Sequence, residues 1–401
     1  MWPHPGQTRI IEATSRFKVV ACGRRFGKTA LARTLLTEKA VQHGMKTWWL
    51  APTYPMATQV WRDLKTGLTS LAATGRIKDI AISETHNRID FAPSGGSIEI
   101  HSTFNADYLR GAGLDYAVLD EAAYMDPTVW PEVVRPMLLD RRGGAIFLST
   151  PFGRNWFYHL FQHGSDPLQP DWAAFQFPTH SNPLISPDEL RDLERMTPSR
   201  VWREEYLAEF IDDAGAVFRG VREALYTPPL PIEREESHRY IMGVDWGRDN
   251  DYTALAVLDA TSGELVDMER YNQVGWQVQR GYIRDAYLRW QPHVIWAEAN
   301  SIGSVNIEAL QQDGLPVRPF MTTSRSKPPL IEGLALAIER RDIALLPDPV
   351  LLNELEAYTL ERLPGGGYRY SAPSGMHDDT VIALALAWYG AQQGSLRLDF
   401  A

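Results

Sequence analysis

Short apolar runs, each bounded by turn or capping residues, recur through the first half of the chain and indicate buried strands. They read "FKVVACG", "KTWWLAPT", "GSIEIHS", "YAVLDEA" and "AIFLSTP". Helical patterns separate several of these runs, and strands that alternate with helices are typical of a mainly parallel sheet in an α/β layer. The pattern therefore predicts one α/β domain over residues 1–210.

The second half has a different order of elements. "RYIMGVDWG", "YTALAVLDA" and "ELVDMERYN" predict a three-stranded meander, followed by a helix over 276–290, the strand "HVIWAEA" and a last helix over about 377–389. Ahead of them, "YTPPLPIEREE" combines three prolines with a run of charge, as linkers do. We expect a linker over 211–237 and a second domain over 238–401.

Charge is distributed unevenly between the two halves. Residues 1–210 hold 23 Lys and Arg against 23 Asp and Glu, whereas residues 211–401 hold 17 against 27, which accounts for the net charge of −10. The acidic excess is either a solvated surface or a set of carboxylates gathered around metal. Cys22 is the only cysteine, which excludes an internal disulfide, and no apolar run approaches the roughly 18 residues of a membrane span. We expect a reducing cell interior and no membrane.

The stretch "CGRRFGKT", Cys22–Thr29, lies between the first predicted strand and a predicted helix. This is the context of a phosphate-binding loop, in which backbone N–H groups and the helix N-terminus surround phosphates. Lys28 would reach the β- and γ-phosphates of ATP, and the Thr29 hydroxyl would bind Mg²⁺. Cys22 replaces the usual first glycine. The ATP-binding candidates in this loop are Gly23, Arg24, Arg25, Phe26, Gly27, Lys28 and Thr29.

Two further strand ends complete this candidate site. "YAVLDEA" ends in Asp120, placed to hold Mg²⁺, and Glu121, placed to polarise the attacking water. The two acids could instead cap the next helix. Ser149 and Thr150 end the strand "AIFLST", where hydroxyls can sense the γ-phosphate.

Acids also mark strand and helix ends in the second half. Asp245 ends one apolar strand, Glu298 ends another, and Asp378 and Asp379 begin the last helix. Such carboxylates can converge on two Mg²⁺ or Mn²⁺ ions that promote phosphodiester cleavage, with Asp251 as an accessory ligand. Asp378 and Asp379 are both candidates for the helix ligand, although His377, Asp378 and Asp379 could equally be a helix cap.

Several of these motifs together resemble the large terminase subunit of tailed bacteriophages: "ACGRRFGKTA", "LRGAGLDYAVLDEAA", "FLSTPFGRNWFY" and the terminal "HDDTVIALALA". The resemblance implies an N-terminal P-loop (ASCE, RecA-like) ATPase domain and a C-terminal RNase H-like nuclease domain. It implies ATP-driven translocation of double-stranded DNA into a procapsid and metal-dependent cutting of concatemeric DNA. Catalysis would rest on Glu121 and Arg110 in the first domain and on Asp245, Glu298 and Asp379 in the second.

The resemblance also implies finer roles and partners. Gln7 would contact adenine, or is a surface residue. Arg110 would complete the ATP site of a neighbouring subunit in a homo-oligomeric ring, with Arg24 as a rival and a structural salt bridge as the alternative. The implied partners are double-stranded DNA, the portal protein and the small terminase subunit, in the cytoplasm of the host bacterium, with ATP and Mg²⁺ or Mn²⁺ as cofactors.

Two other functions fit parts of the pattern. A helicase-nuclease of DNA repair should carry a second motor domain, and the chain between "STPFGRN" and the linker is short for one. A non-enzymatic ATP-dependent scaffold for DNA or capsid proteins would not need Glu121 or the acids of the second half. Arg325 and Lys327, in the basic loop "TTSRSKPP", are candidates for contact with DNA phosphates.

Overall fold

The computed structural model of the chain describes residues 3–111, 113–211, 216–247, 252–300, 303–362, 368–373 and 375–395. These residues divide into two compact units, the first mainly within 3–211 and the second mainly within 216–395. Inside the predicted linker, Val217, Phe218 and Val221 are buried in a hydrophobic core of the second unit. That part of the segment is therefore core structure.

The first unit follows the alternating order expected of an α/β layer. Its strands are β1 (Phe17–Cys22), β2 (Lys46–Ala51), β3 (Ile80–Ser83), β4 (Arg88–Phe91), β5 (Gly96–Ser102), β6 (Tyr116–Asp120), β7 (Gly144–Ser149) and β8 (Trp172–Phe177). The helices of this part of the chain are α1 (Pro5–Glu12), α2 (Lys28–His43), α3 (Tyr54–Ala73), α4 (Arg135–Met137), α5 (Trp156–Ser165), α6 (Pro187–Arg195) and α7 (Ser199–Val201).

These strands form one sheet in the order β3-β4-β5-β2-β6-β7-β1-β8. The strands from β5 to β8 in that order are parallel, and only the β3-β4-β5 edge is antiparallel. Separate hydrophobic clusters cover the sheet, one around Leu36 and Trp49 and the other around Phe147 and Trp130. The prediction of a mainly parallel α/β layer is confirmed. Since parallel strands end at one edge, the residues that follow β1, β6 and β7 are neighbours.

The second unit begins with the predicted meander. Its strands are β9 (Tyr240–Asp245), β10 (Thr253–Asp259), β11 (Glu264–Tyr271), β12 (Val294–Glu298), β13 (Val317–Phe320), β14 (Thr359–Arg362) and β15 (Tyr368–Ser371). Its helices are α8 (Trp276–Trp290), α9 (Gly303–Gln312), α10 (Lys327–Arg340), α11 (Pro349–Ala357) and α12 (Asp379–Ser395).

The main sheet of this unit runs β11-β10-β9-β12-β13, with β9 antiparallel to β10 and parallel to β12. Helix α12 crosses its centre on residues 381–387, all of which are buried. Gly243 permits this close crossing, because a Cβ there would lie 2.0 Å from the carbonyl oxygen of Ala383. The start of α12 is thereby fixed beside the ends of β9 and β12.

Two candidate catalytic sites

The loop after β1 has the backbone shape expected of a phosphate-binding loop. Gly27 adopts φ +100°, and α2 begins at the next residue. A Cβ at Gly27 would also lie 2.6 Å from Gln7 Nε2. The positive φ favours glycine at this position, whereas the Gln7 side chain could move away from a Cβ. Arg25, two residues earlier, is exposed and also left-handed, with φ 60°.

The phosphate-binding loop is held in place by contacts with residues in the segment 177–205. The Gly23 N–H donates to the Phe177 carbonyl at 3.0 Å, and the Arg24 N–H donates to the Glu205 carbonyl at 2.7 Å. The Arg24 side chain also pairs with the Glu205 carboxylate at 2.8 Å. Phe26 is fully buried and stacks on Phe177, with ring centroids 5.1 Å apart. Phe26 therefore anchors the loop, and its ring does not line the site.

Lys28 points from the start of α2 toward the sheet edge. It is buried, with Nζ 3.4 Å from the Cys22 carbonyl oxygen and 3.7 Å from Glu121 Oε1. Burial acts to lower the pKa of Lys28, but attraction to Glu121 and neighbouring groups outweighs it, so the pKa is raised. Lys28 is thus a fixed cation at the sheet edge.

The two acids at the end of β6 differ in environment. Glu121 has φ 52°, and its Oε2 accepts a hydrogen bond from Ser149 Oγ at 3.3 Å. Asp120 is buried, and its Oδ1 has no hydrogen-bond partner among the described residues. Burial, with the charge of Glu121 added, raises the pKa of Asp120 to about 7. An isolated buried carboxylate oxygen of this kind suits a hard cation such as Mg²⁺.

The hydroxyl candidates lie at the same edge of the sheet. Thr29 is half-buried in the first turn of α2, one residue after Lys28. Thr150, directly after β7, is buried, and its Oγ1 is 2.9 Å from the Tyr124 hydroxyl. Thr29 thus lies at the start of a helix, and Ser149 and Thr150 lie at the end of a strand. Both ends are at the sheet edge where Lys28 and the acids lie.

Gln7 and Arg110 both make contacts within the first unit. Gln7 Nε2 donates to the Gly27 carbonyl at 3.0 Å, so this side chain supports the phosphate loop. Arg110 is half-exposed, and its Nη2 lies 3.0 Å from Asp107 and 3.3 Å from Glu132. These surface ion pairs do not include any residue of the loop or the acid pair.

The second unit brings four predicted carboxylates together. Ala297 pairs with Val244 in parallel register, so Asp245 and Glu298, the next residues, end neighbouring strands at one edge. Burial, followed by the charge of Glu298, a hydrogen bond with it and the nearby Asp379 and Asp378, raises the pKa of Asp245 well above its usual range. Asp251, the predicted accessory ligand, lies outside the described residues.

Two cations occupy part of this cluster. Lys327 Nζ lies 3.1 Å from Asp378 Oδ2, and Arg270 Nη2 lies 3.3 Å from Asp379 Oδ2. In the described part of the chain, no three His, Cys, Asp or Glu side chains are already arranged to enclose a metal ion. The four acids are close enough to influence one another's charge, yet the described residues do not form a complete metal site. The reason is that each ion pair turns a carboxylate oxygen toward Lys327 or Arg270. The oxygen-only donor set fits Mg²⁺ or Mn²⁺.

The structure separates the two DNA-contact candidates. Lys327 is half-buried against Asp378, whereas Arg325 is exposed, with its backbone N–H bonded to Thr323 Oγ1 at 3.2 Å. A net-acidic cluster binds Lys327 in the structure, so a DNA contact by this residue requires release from Asp378.

Sequence reasoning missed Arg270 and Glu354. Glu354 is buried, and it joins Arg270 to the start of α12. The sequence does carry a signal for Glu354, because Leu351, Glu354, Leu355 and Tyr358 have the spacing of one helix face. Leu351, Leu355 and Tyr358 are fully buried. A carboxylate on an apolar face indicates a buried partner.

Among the described residues, none of the helices combines the length and the apolar character needed to cross a bilayer.

Comparison with known proteins identifies both units. The family described as "Terminase large subunit, T4likevirus-type, N-terminal" matches residues 20–224, and "Terminase RNaseH-like domain" matches residues 242–389. The large terminase subunit of Thermus virus P23-45 is 29% identical over 96% of this chain and 87% of its own length.

Two solved structures are also similar. The large terminase of a thermophilic bacteriophage shares 15% identity over 97% of this chain and 98% of its own, with a TM-score of 0.57, which supports the same fold. The large terminase nuclease of the thermophilic phage G20c, solved with bound magnesium, is 28% identical over 44% of this chain and 97% of its own, with a TM-score of 0.41.

The family matches cover both units. The chain therefore belongs to the large terminase subunit family, whose members are ATPases and nucleases that package and cut phage DNA.

Proposed function

We propose that the residues at the sheet edge of the first unit hydrolyse ATP. Lys28 neutralises charge on the β- and γ-phosphates, and the loop from Gly23 to Gly27 surrounds them with backbone N–H groups. Glu121 orients and polarises the attacking water, and Ser149 holds the Glu121 carboxylate. The observation that carries this assignment is the buried Lys28, 3.7 Å from Glu121.

Thr29 and Asp120 are the residues that would hold a magnesium ion beside the phosphates. Their support is the Thr29 position in the first turn of α2 and the buried, unbonded Oδ1 of Asp120 among the described residues. When bound, the ion would supply positive charge that offsets the negative charge of the phosphates. Gln7 supports the loop through Gly27, and a contact with adenine remains part of the proposal.

We further propose that Asp245, Glu298, Asp378 and Asp379 cut DNA. Their carboxylates would hold Mg²⁺ or Mn²⁺, which when bound would activate water and stabilise the leaving oxygen. Burial and the neighbouring acids raise the pKa of Asp245 and so favour its protonated form, and metal binding must release that proton. Asp251 is a candidate for an additional ligand, and Arg325 and Lys327 for contacts with DNA phosphates.

The assembly proposed for this chain is a homo-oligomeric ring on double-stranded DNA that works with the portal protein and the small terminase subunit in the host cytoplasm. Arg110 supports a ring because it lies at the surface, and its ion pairs include no residue of the phosphate loop. In a ring it would reach the ATP bound to a neighbour, where a cation stabilises charge that develops on the phosphoryl group.

A nucleotide-binding measurement on Lys28→Ala tests the ATPase assignment. Loss of a charged contact worth about 1.5–3 kcal/mol should weaken ATP binding by roughly tenfold to a hundredfold. Arg33→Ala is the matched control, because Arg33 lies on the same helix but pairs with Asp63 at the surface. Equal affinity in Lys28→Ala and Arg33→Ala would overturn the assignment of the loop.

A further inference from the structure

Glu354 is a buried carboxylate that belongs to neither predicted ligand set. Its side chain is about 5% exposed, and it lies on α11, with Leu351 and Leu355 packed in the core on either side. Burial of a carboxylate costs free energy unless charge or hydrogen bonds compensate it. The contacts of Glu354 therefore indicate what it does.

One oxygen of Glu354 caps the helix that carries the proposed metal ligands. Oε2 accepts the backbone N–H of Thr380 at 2.9 Å and the Thr380 hydroxyl at 2.5 Å. The Ile382 N–H already bonds the Asp378 carbonyl, so Thr380 is in the first turn of α12, where N–H groups lack helical partners. A carboxylate there satisfies one of them and complements the helix dipole.

The other oxygen faces Arg270. Glu354 Oε1 lies 3.2 Å from Arg270 Nη2, and the same Nη2 lies 3.3 Å from Asp379 Oδ2. The guanidinium also lies 3.5 Å from the centre of the Tyr252 ring, which limits its movement. Arg270 is therefore held between Asp379, a proposed metal ligand, and Glu354, which is bonded to the first turn of α12.

This arrangement has two consequences for a divalent cation. Arg270 holds Oδ2 of Asp379 and so fixes the orientation of that carboxylate. Its positive charge would oppose a metal ion at the same carboxylate, but Glu354 offsets that charge at 3.2 Å. A guanidinium without such a partner would compete with the metal.

We propose that Glu354 is a positioning residue of the nuclease: it fixes the start of α12 and neutralises Arg270, so that Asp378 and Asp379 can bind metal. This rests on the proposed function of the carboxylate cluster. Glu354 acts through its contacts with Arg270 and Thr380.

Glu354→Gln isolates the charge, because the amide keeps the size of the side chain and an oxygen that can accept from Thr380. The measurement is Mn²⁺ binding to the full chain without nucleotide, followed by the electron paramagnetic resonance signal of free Mn²⁺, with Asp245→Asn as the blank. Loss of a partner beyond the ligands typically weakens metal binding by about tenfold to a hundredfold, and we expect the lower end. Glu356→Gln is the matched control, since Glu356 lies on the same helix but pairs with the exposed Arg222.

The double variant Glu354→Gln/Arg270→Gln separates charge balance from loss of structure. With the opposing guanidinium removed, Mn²⁺ affinity should return to within about threefold of the wild-type value, a residual of roughly 0.7 kcal/mol. A structural defect alone would leave the double variant at least as weak as the single one.

If Glu354→Gln does not fold, Arg270→Gln alone provides the test. It should bind Mn²⁺ at least as tightly as wild type but cut DNA more slowly at saturating metal, because Asp379 loses its orientation. Unchanged Mn²⁺ affinity in Glu354→Gln, a double variant no tighter than the single one, or weaker binding in Arg270→Gln would each overturn the proposal. Failure of the proposed nuclease site itself looks different: wild type and the Asp245→Asn blank would then bind Mn²⁺ equally.

Discussion

The two proposed active sites reach a stable charge balance in different ways. In the first unit, the cation beside the acids is Lys28, which is itself part of the proposed machinery and lies 3.7 Å from Glu121. In the second unit, Arg270 and Lys327 pair with two of the four proposed ligands, at 3.3 Å and 3.1 Å. The ATP site is thus arranged around its own lysine, whereas in the nuclease site the cations that pair with the acids lie outside the proposed ligand set.

The difference in charge balance between the two proposed sites follows from the number of carboxylates that each site brings together. Two acids at the end of β6 can share one buried lysine, and the pKa of Asp120 rises to about 7. Four acids meet at the ends of β9 and β12 and the start of α12, and burial, together with the charges of the other three acids, raises the pKa of Asp245 well above its usual range. Metal binding in the second unit should therefore release protons, and should weaken as pH falls.

Glu121→Gln should have the largest effect on the ATPase side of this comparison. A positioned base contributes about 10²- to 10⁴-fold, so ATP turnover should fall by that factor while ATP binding stays within about twofold, since Lys28 and Asp120 remain. Turnover and nucleotide binding measured on one preparation check this. Near-wild-type turnover would remove Glu121 from its proposed role.

Gly243→Ala should mainly affect the nuclease unit, where the close crossing of α12 positions the acids. The added methyl group would lie 2.0 Å from the Ala383 carbonyl oxygen, so the helix must shift. Overpacking of this kind costs about 1–3 kcal/mol, which a lower Tm and slower DNA cutting should report.

Gly281→Ala is the control for that change. Gly281 lies in α8, and a Cβ there would meet nothing within 4 Å. Helix propensity then predicts a stability gain of up to about 1 kcal/mol and unchanged cutting. Equal Tm values for Gly243→Ala and wild type would contradict the role of the close crossing.

The prediction for Arg110 has the smallest expected effect, a partial recovery of ATP turnover in assemblies that mix two variants. If it acts on a neighbour, a mixture of Arg110→Ala and Glu121→Gln chains forms some interfaces with an intact site and an intact arginine. Their ATP turnover should exceed the sum of the two variants measured alone. No recovery in an assembly verified to be mixed would place any role of Arg110 within one subunit.

The sequence was sufficient to predict the candidate site residues that lie at the ends of strands and helices. Apolar runs located β1, β6, β7, β9 and β12, and polar residues at or directly after their ends, with Asp378 and Asp379 at the start of α12, make up both proposed sites. The family and fold predictions are confirmed by the matches over residues 20–224 and 242–389. Individual site roles stay predictions.

Contacts between distant segments could not be predicted in the same way. No local pattern joins Glu205 to Arg24 across 181 positions, or Arg270 to Asp379 across 109. Glu354 and Glu356 look alike in "NELEAY", yet one is buried under α12 and the other pairs at the surface. Such pairs depend on how sheets and helices pack, and a single sequence does not record that.

The central claim is that each unit carries its own chemistry, and Asp245→Asn in the full chain tests it most directly. DNA cutting in Mg²⁺ and ATP turnover should be measured side by side on this variant and on wild type. An amide brings no charge to a divalent cation, so cutting should fall by at least about 10³-fold while ATP turnover stays within about twofold. Cutting that survives Asp245→Asn, or ATP turnover that falls with it, would contradict the account.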